Sequence, residues 1–248
     1  LYKGKKLGTW ADIGMFSFGT DKIISCVRGG ALVTDNKELG EKIKTIQASL
    51  PQSSRIKVCQ YLFNIPLFQI GKRFYSSFGK LLFYISKKLH FIGRVIYNQE
   101  KCGEQINVYP AQLPNALADI LINQINDLDN RNKHRQYIAT QYIKALKGIA
   151  TPDNHPENIF LRYTMFIDNP KELLAYAKSR KILLGNWYNA PVVPTDIKLG
   201  ITGYKKGMCP QAEKYAAMSI NLPTNRFITK KDAQTIIDCV QSYASKKN

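Results

Sequence analysis

Phe16-Ser17-Phe18-Gly19-Thr20-Asp21-Lys22-Ile23-Ile24-Ser25-Cys26-Val27-Arg28-Gly29-Gly30-Ala31-Leu32-Val33-Thr34 is the stretch from which the fold is read. Residues 12 to 18 predict a short strand, and Ile23 to Thr34 hold apolar material for one or two more around a turn at Gly29-Gly30. Lys22 then lies in a loop at the edge of a sheet. Asp35-Asn36 supplies a helix cap, and Leu39, Ile43 and Ile46 recur at helical spacing over residues 37 to 48. Strand, loop and helix in that order belong to an α/β protein.

Residues 55 to 99 change character. They are rich in aromatic side chains, carry several Lys and Arg, and contain neither Asp nor Glu. The uncharged run Val58 to Gly71 contains Pro66 and is too short to cross a bilayer as a helix. Over residues 80 to 96, Leu81, Ile85, Leu89, Ile92 and Ile96 fall on one helical face, with Lys80, Lys87 and Arg94 nearly opposite. Such a helix either lies in a membrane interface with its cations toward anionic headgroups or packs on its own domain or a second subunit. Nothing in the segment matches a nucleic-acid reading motif, so no nucleic-acid partner is expected.

Pro114 stands at the first turn of a long predicted helix in which Leu117, Leu121, Ile125 and Leu128, then Ile138, Tyr142 and Leu146, recur at spacings of three and four. Its middle, Asp127 to Gln136, is highly charged, which predicts a wet or bent centre. Ile159 to Ile167 reads as a period-two strand, Asn169-Pro170 as a helix start, Leu173 to Ser179 as the helix and Ile182 to Tyr188 as another strand. A short helix follows from Gln211, then a turn at Leu222-Pro223. Thr229 and Asp232 cap a closing amphipathic helix through Ile236, Ile237, Val240 and Tyr243.

With 248 residues, 44% of them apolar, the chain can bury one large or two small domains. Its five cysteines are odd in number, spread apart and free of any CxxC pair, which argues against a disulfide framework or zinc site and for a reducing, cytoplasmic location. His90, His134 and His155 show no ligand spacing, so no metal is expected. A formal charge of +18 attracts nucleic acid, anionic lipid or phosphorylated substrates, or reflects only a lysine-rich solvated surface. No signal-peptide pattern opens the chain, and Leu1 in place of Met raises the expectation of a longer parent protein.

Lys22 is the candidate for chemistry. A lysine just past a buried strand, with the Ser17 hydroxyl five residues earlier, is able to hold an aldehyde cofactor as a Schiff base while the hydroxyl meets its phosphate. Most loop lysines are merely solvated, so the surrounding residues decide.

Those residues resemble the DegT/StrS family of pyridoxal-phosphate-dependent nucleotide-sugar aminotransferases. The family's lead-in appears as Gly4-Lys5-Lys6-Leu7-Gly8-Thr9-Trp10-Ala11-Asp12-Ile13-Gly14, its lysine block as Ser17-Phe18-Gly19-Thr20-Asp21-Lys22, and its Gly-Gly strand as Gly29-Gly30-Ala31-Leu32-Val33-Thr34. The similarity resumes at Gln124-Ile125-Asn126-Asp127-Leu128-Asp129 and continues through Arg162 to Ile167, Ile182 to Pro191, and Asn221-Leu222-Pro223.

The resemblance implies a fold type I architecture: residues 1–54 closing the large mixed-sheet cofactor domain, 55–106 a basic aromatic insertion, 107–147 a long linking helix and 148–248 a smaller C-terminal α/β domain. It implies that Lys22 binds pyridoxal 5'-phosphate covalently and shuttles the proton, and that Ser17 bonds the cofactor phosphate. Asn107 is the candidate for the asparagine that reaches the cofactor phosphate of the neighbouring subunit in a homodimer. The substrate would be a keto group on a nucleotide-linked sugar, with glutamate the usual amino donor, in the biosynthesis of a polysaccharide or glycoside.

Three departures accompany the match. Arg28 stands where the family usually has Glu, an ungapped match back from Gln124 puts Pro110 rather than Asn107 at the asparagine position, and residues 55–99 replace a shorter loop. The family's upstream half, with the Asp for the pyridinium nitrogen, a phosphate turn and a stacking aromatic, has no counterpart in these residues, so the chain alone is expected to be inactive. The alternative is a non-catalytic membrane-surface or scaffold protein on the same fold, attached through residues 55–99. Lys22 argues against such a lapse, and against the family's dehydratase branch, which carries His at that position.

Overall fold

The Asn36 and Thr229 side chains each start a helix by accepting a backbone N–H that the helix leaves unbonded. Asn36 Oδ1 accepts from Leu39 N at 3.1 Å, and Thr229 Oγ1 accepts from Asp232 N at 3.1 Å while the Asp232 carboxylate accepts from Thr229 N at 2.9 Å. The computed structural model describes residues 2–89, 91–92, 96–149 and 157–246. His90, Arg94 and His155 lie outside them.

The elements in chain order are β1 (Gly14–Ser17), β2 (Gly30–Val33), α1 (Lys37–Ser49), α2 (Arg55–Arg73), a π-turn (Tyr75–Gly79), α3 (Lys80–Lys88) and α4 (Asn98–Lys101). They continue with α5 (Asn115–Ile125), α6 (Leu128–Ala145), β3 (Tyr163–Phe166), α7 (Pro170–Ser179), a 3₁₀ turn (Leu199–Thr202), α8 (Pro210–Met218), β4 (Ser219–Leu222) and α9 (Lys230–Ala244). Two compact units emerge, one of residues 1–100 and 104–128 and the other of 101–103 and 129–248.

In the first unit β1 and β2 form an antiparallel ribbon, with Gly14 opposite Val33 and Ser17 opposite Gly30. Of the one or two strands expected from Ile23 to Thr34, one forms, and residues 23–29 make a loop. The ribbon is thinly covered: Met15 is 77% exposed, and Leu32 and Val33 also face solvent. Ile46 on α1 is exposed too, while Leu39 and Ile43 of the face predicted for that helix are half-buried. The local core consists of Cys26, Tyr61, Leu117 and Leu121.

Three sequence expectations change. The helix predicted over residues 80 to 96 stops at Lys88, with Leu89 as its C-cap. The long helix after Pro114 is interrupted at Asn126-Asp127, where Asp127 N donates to the Gln124 carbonyl at 3.3 Å, three residues back. Ile182 to Tyr188 forms no strand and contributes one bridge, with Gly185 and Asn221 exchanging N–H···O bonds of 2.9 and 2.7 Å.

The second unit has the larger core. β3 pairs antiparallel with β4, and all four β4 residues are buried, so its apolar Ile220 and Leu222 meet Ile138 and Tyr142 of α6, Leu173 of α7 and Ile236 and Val240 of α9. Each such side chain contributes roughly 1.5–3 kcal/mol by leaving water. Arg135, itself buried, donates to the Leu161 carbonyl at 2.9 Å and to Thr224 Oγ1 at 3.1 Å, and Thr224 Oγ1 donates to the Phe160 carbonyl at 2.7 Å. Burial, with Arg131 and Arg162 nearby, lowers the Arg135 pKa from its usual value.

Candidate active site

Ser17 ends β1, and the chain leaves the ribbon there to make the loop that carries Lys22. Phe18 N donates to the Gly29 carbonyl at 2.9 Å and Cys26 N to the Phe18 carbonyl at 3.1 Å, closing the loop at its neck. Lys22 N donates to the Gly19 carbonyl at 3.1 Å, which turns the chain, and Gly19 N donates to Ser17 Oγ at 3.4 Å. The lysine and serine positions are thus coupled through one short turn.

Glycines make the close approaches possible. A Cβ on Gly14 would sit 1.7 Å from the Gly8 carbonyl oxygen, and one on Gly29 would sit 2.9 Å from Cys26 Sγ. Gly8 itself has φ +84, a conformation that other residues rarely adopt. The spacing of glycines in the lead-in therefore has a steric cause. Val27 holds φ 75, a strained setting for a β-branched residue, and lines the same cavity as Lys22.

The loop is anchored from 99 residues away in sequence by Gln124 of α5. Its Oε1 accepts from Ser25 N at 3.2 Å, and its Nε2 donates to the Ser25 carbonyl at 2.7 Å. Cys26 beside it is fully buried against Tyr61, Leu117 and Leu121, and burial pushes its thiol pKa up, so it is a packing residue rather than a nucleophile. Nothing in the spacing of the sequence marks Gln124 for this task; it emerges only when α5 docks beside the loop.

Ser17, Thr20, Lys22, Arg28, Asn64 and Phe68 are among the residues that line a cavity of about 340 Å³. The loop forms one wall and α2 the other. Lys22 Nζ lies 3.1 Å from Asp21 Oδ2. The Arg28 guanidinium lies over the Tyr109 ring at 4.8 Å and the Tyr97 ring at 5.8 Å. The Tyr109 hydroxyl donates to the Glu100 carboxylate, which also accepts from Tyr97 N at 2.7 Å. The two rings that flank the Arg28 guanidinium are thus tied together through one carboxylate.

Asn107 lies exposed in a turn and does not line the cavity. Ser17 and Lys22 do. A primary amine, the hydroxyls of Ser17, Thr20 and Tyr61, and a guanidinium on one cavity form a donor set that suits an aldehyde and a phosphate. Asp21, the acidic residue in the lining, is spent on Lys22. Among the described residues no group of His, Cys, Asp and Glu is placed to hold a metal ion.

The chain is similar to known proteins over nearly all of its length. The chain is 28% identical over 255 residues to the uncharacterized protein MJ1066 of Methanocaldococcus jannaschii, covering 98% of this chain and 57% of that protein. It is 23% identical over 253 residues to dTDP-3-amino-3,4,6-trideoxy-alpha-D-glucose transaminase of Streptomyces venezuelae, covering 99% and 54%. It thus spans about half the length of the curated relatives it matches. The crystal structure of Streptomyces venezuelae DesV in complex with a ketimine intermediate superposes with a TM-score of 0.66 at 21% identity, over 98% of this chain and 54% of that one, which shows a shared fold. The profile of the DegT/DnrJ/EryC1/StrS aminotransferase family matches residues 1–62 and 80–241, and the chain belongs to that family.

Proposed function

We propose that the protein transfers an amino group, with glutamate as donor, onto a keto group of a nucleotide-linked sugar, and that this chain carries the lysine-bearing part of the machinery. The Lys22 amine and the Ser17 hydroxyl opening onto one cavity carry the proposal. Pyridoxal 5'-phosphate, when bound, supplies an electron sink for negative charge at the substrate carbon.

The chain's own residues then have separable tasks. Lys22 would hold the cofactor covalently, and its amine, once released, would carry a proton between the substrate carbon and the cofactor carbon. Ser17 donates its hydroxyl proton to a phosphate oxygen, and Arg28 adds a fixed positive charge to the same wall. Asn107, exposed and away from this cavity, serves the neighbouring subunit's cofactor phosphate in a homodimer. The carboxylate for the ring nitrogen comes from outside these residues, so this chain by itself is inactive. Residues 1–54 complete the cofactor domain, 107–147 form the link and 148–248 the small domain.

Borohydride reduction of the full-length, cofactor-loaded protein followed by peptide mapping tests this. The label belongs on Lys22. A label on another lysine, or none, ends the proposal.

A further inference from the structure

The hairpin of α2, the π-turn and α3 has a closed inner side and an open outer one. Gly71 and Gly79 let its two arms meet: a Cβ on Gly71 would lie 2.4 Å from Phe83 Cζ, and one on Gly79 would lie 2.2 Å from the Gly71 carbonyl oxygen. Phe68 and Phe83 add a tilted ring contact at 5.1 Å between arms. Leu67 is buried on α2. The hairpin therefore has a defined internal packing and does not need its remaining apolar side chains to hold it shut.

Those remaining side chains point to water. At the tip, Phe74 and Phe78 stack at 4.9 Å and are still 40% and 49% exposed. On α3, Leu81, Tyr84 and Ile85, followed by Leu89, are exposed at spacings that share one helical face, with Tyr84 at 64%. Contiguous exposed apolar surface of this kind marks a docking site. The family profile omits residues 63–79, so the tip is not part of the common pattern of the fold.

Charge says what docks. Residues 55–99 hold eight Lys and Arg and no Asp or Glu. Arg73 lies 6.0 Å over the Phe74 ring and Lys80 lies 5.3 Å over the Tyr75 ring, while Lys87 and Lys88 close α3. Cations set directly beside exposed rings and aliphatic chains match a surface that is apolar below and anionic above. A nucleic acid would stack on exposed rings but offers no apolar layer to receive Leu81, Ile85 and Leu89 beside them. Among the described residues no helix is long and apolar enough to cross a membrane.

We propose that the α2–α3 hairpin docks the protein on an anionic lipid surface, with Phe74, Phe78 and Leu81 entering the interface and Arg73, Lys80 and Lys87 among the headgroup phosphates. α2 also carries Tyr61, Asn64 and Phe68 on the cavity wall, so the docking element and the candidate site share one helix. The proposal stands independently of the aminotransferase reading.

Flotation of the full-length protein with phosphatidylcholine vesicles, with and without phosphatidylserine, tests it at low and high salt. Binding is expected with the anionic vesicles only, weakened by salt, and reduced roughly tenfold or more both in Phe74→Ser/Phe78→Ser and in Lys80→Gln/Lys87→Gln. The second pair changes charge without removing any packed ring, so it stands as the measure should the first fail to fold. Failure of the wild type to float with anionic vesicles at low salt overturns the proposal. So does binding that both variants leave unchanged. A wild type that ignores vesicles but loses self-association, or binding to an acidic protein or an oligonucleotide, in the variants assigns the hairpin to that partner instead and equally overturns it.

Discussion

Lys22 Nζ and Asp21 Oδ2 stand 3.1 Å apart on the cavity wall, with the two side chains 34% and 38% exposed. Water reaches both, so the pair orients the amine without contributing much to the fold; exposed pairs are worth about 0–1 kcal/mol. Asp21→Asn is therefore expected to leave the unfolding free energy in urea within about 1 kcal/mol of wild type. Lys22→Ala leaves it equally unchanged but abolishes amino transfer in the full-length protein, read by chromatography of the product from a panel of keto-sugar nucleotides. A variant at Lys22 that keeps its activity removes the lysine from the mechanism.

Gly14→Ala places a methyl group against the Gly8 carbonyl oxygen and within 2.9 Å of Val33 Cγ2. Backbone cannot yield as a flexible side chain would, so a loss of about 1–3 kcal/mol is expected from chemical denaturation. Gly200→Ala is the control. A Cβ there meets nothing within 4 Å, and its effect stays within about 0.5 kcal/mol.

Arg135→Met removes the donor to the Leu161 carbonyl and to Thr224 Oγ1 inside the second unit. A buried acceptor left without its charged partner costs about 1–3 kcal/mol, and the unfolding midpoint should fall accordingly. Thr224→Val shares the same network, so the double variant should lose measurably less than the sum of the singles in a thermodynamic cycle. Strict additivity would mean that the two side chains are not coupled.

Asp232 gives a pH dependence of known sign. The Thr229 hydroxyl donates to its carboxylate at 2.7 Å and Thr229 N at 2.9 Å, and these bonds hold the acid below its ordinary pKa of 3.8. A folded pKa below the unfolded one means stability that is complete above the unfolded value and is lost as pH falls through the folded one. Asp232→Asn should thus narrow its deficit against wild type as the solution is acidified below about pH 4, followed by unfolding at fixed temperature. A deficit that grows in acid contradicts the capping geometry.

Local features were legible in advance. The Asn36 and Thr229 caps, the Pro170 start of α7 and the single strand leading to Ser17 depend on residues within a few positions of one another, and the structure has each of them. Features that depend on distant chain were not. The 182–188 strand is reduced to the bridge between Gly185 and Asn221 of β4. The apolar period marked one face past Lys88 and across Asn126-Asp127, but not the places where α3 and α5 end.

By itself the order of residues determined the five-residue step from Ser17 to Lys22, the glycine lead-in, the helix caps and the acid-free basic segment, because covalent spacing and charge do not wait for folding. Tertiary packing decided that Ser17 and Lys22 face one cavity with Arg28, that Gln124 staples their loop from 99 residues away, and that Phe74, Phe78 and Tyr84 of the α2–α3 hairpin face outward. Such contacts join residues with no fixed distance along the chain, and only the burial of competing side chains selects which of them form.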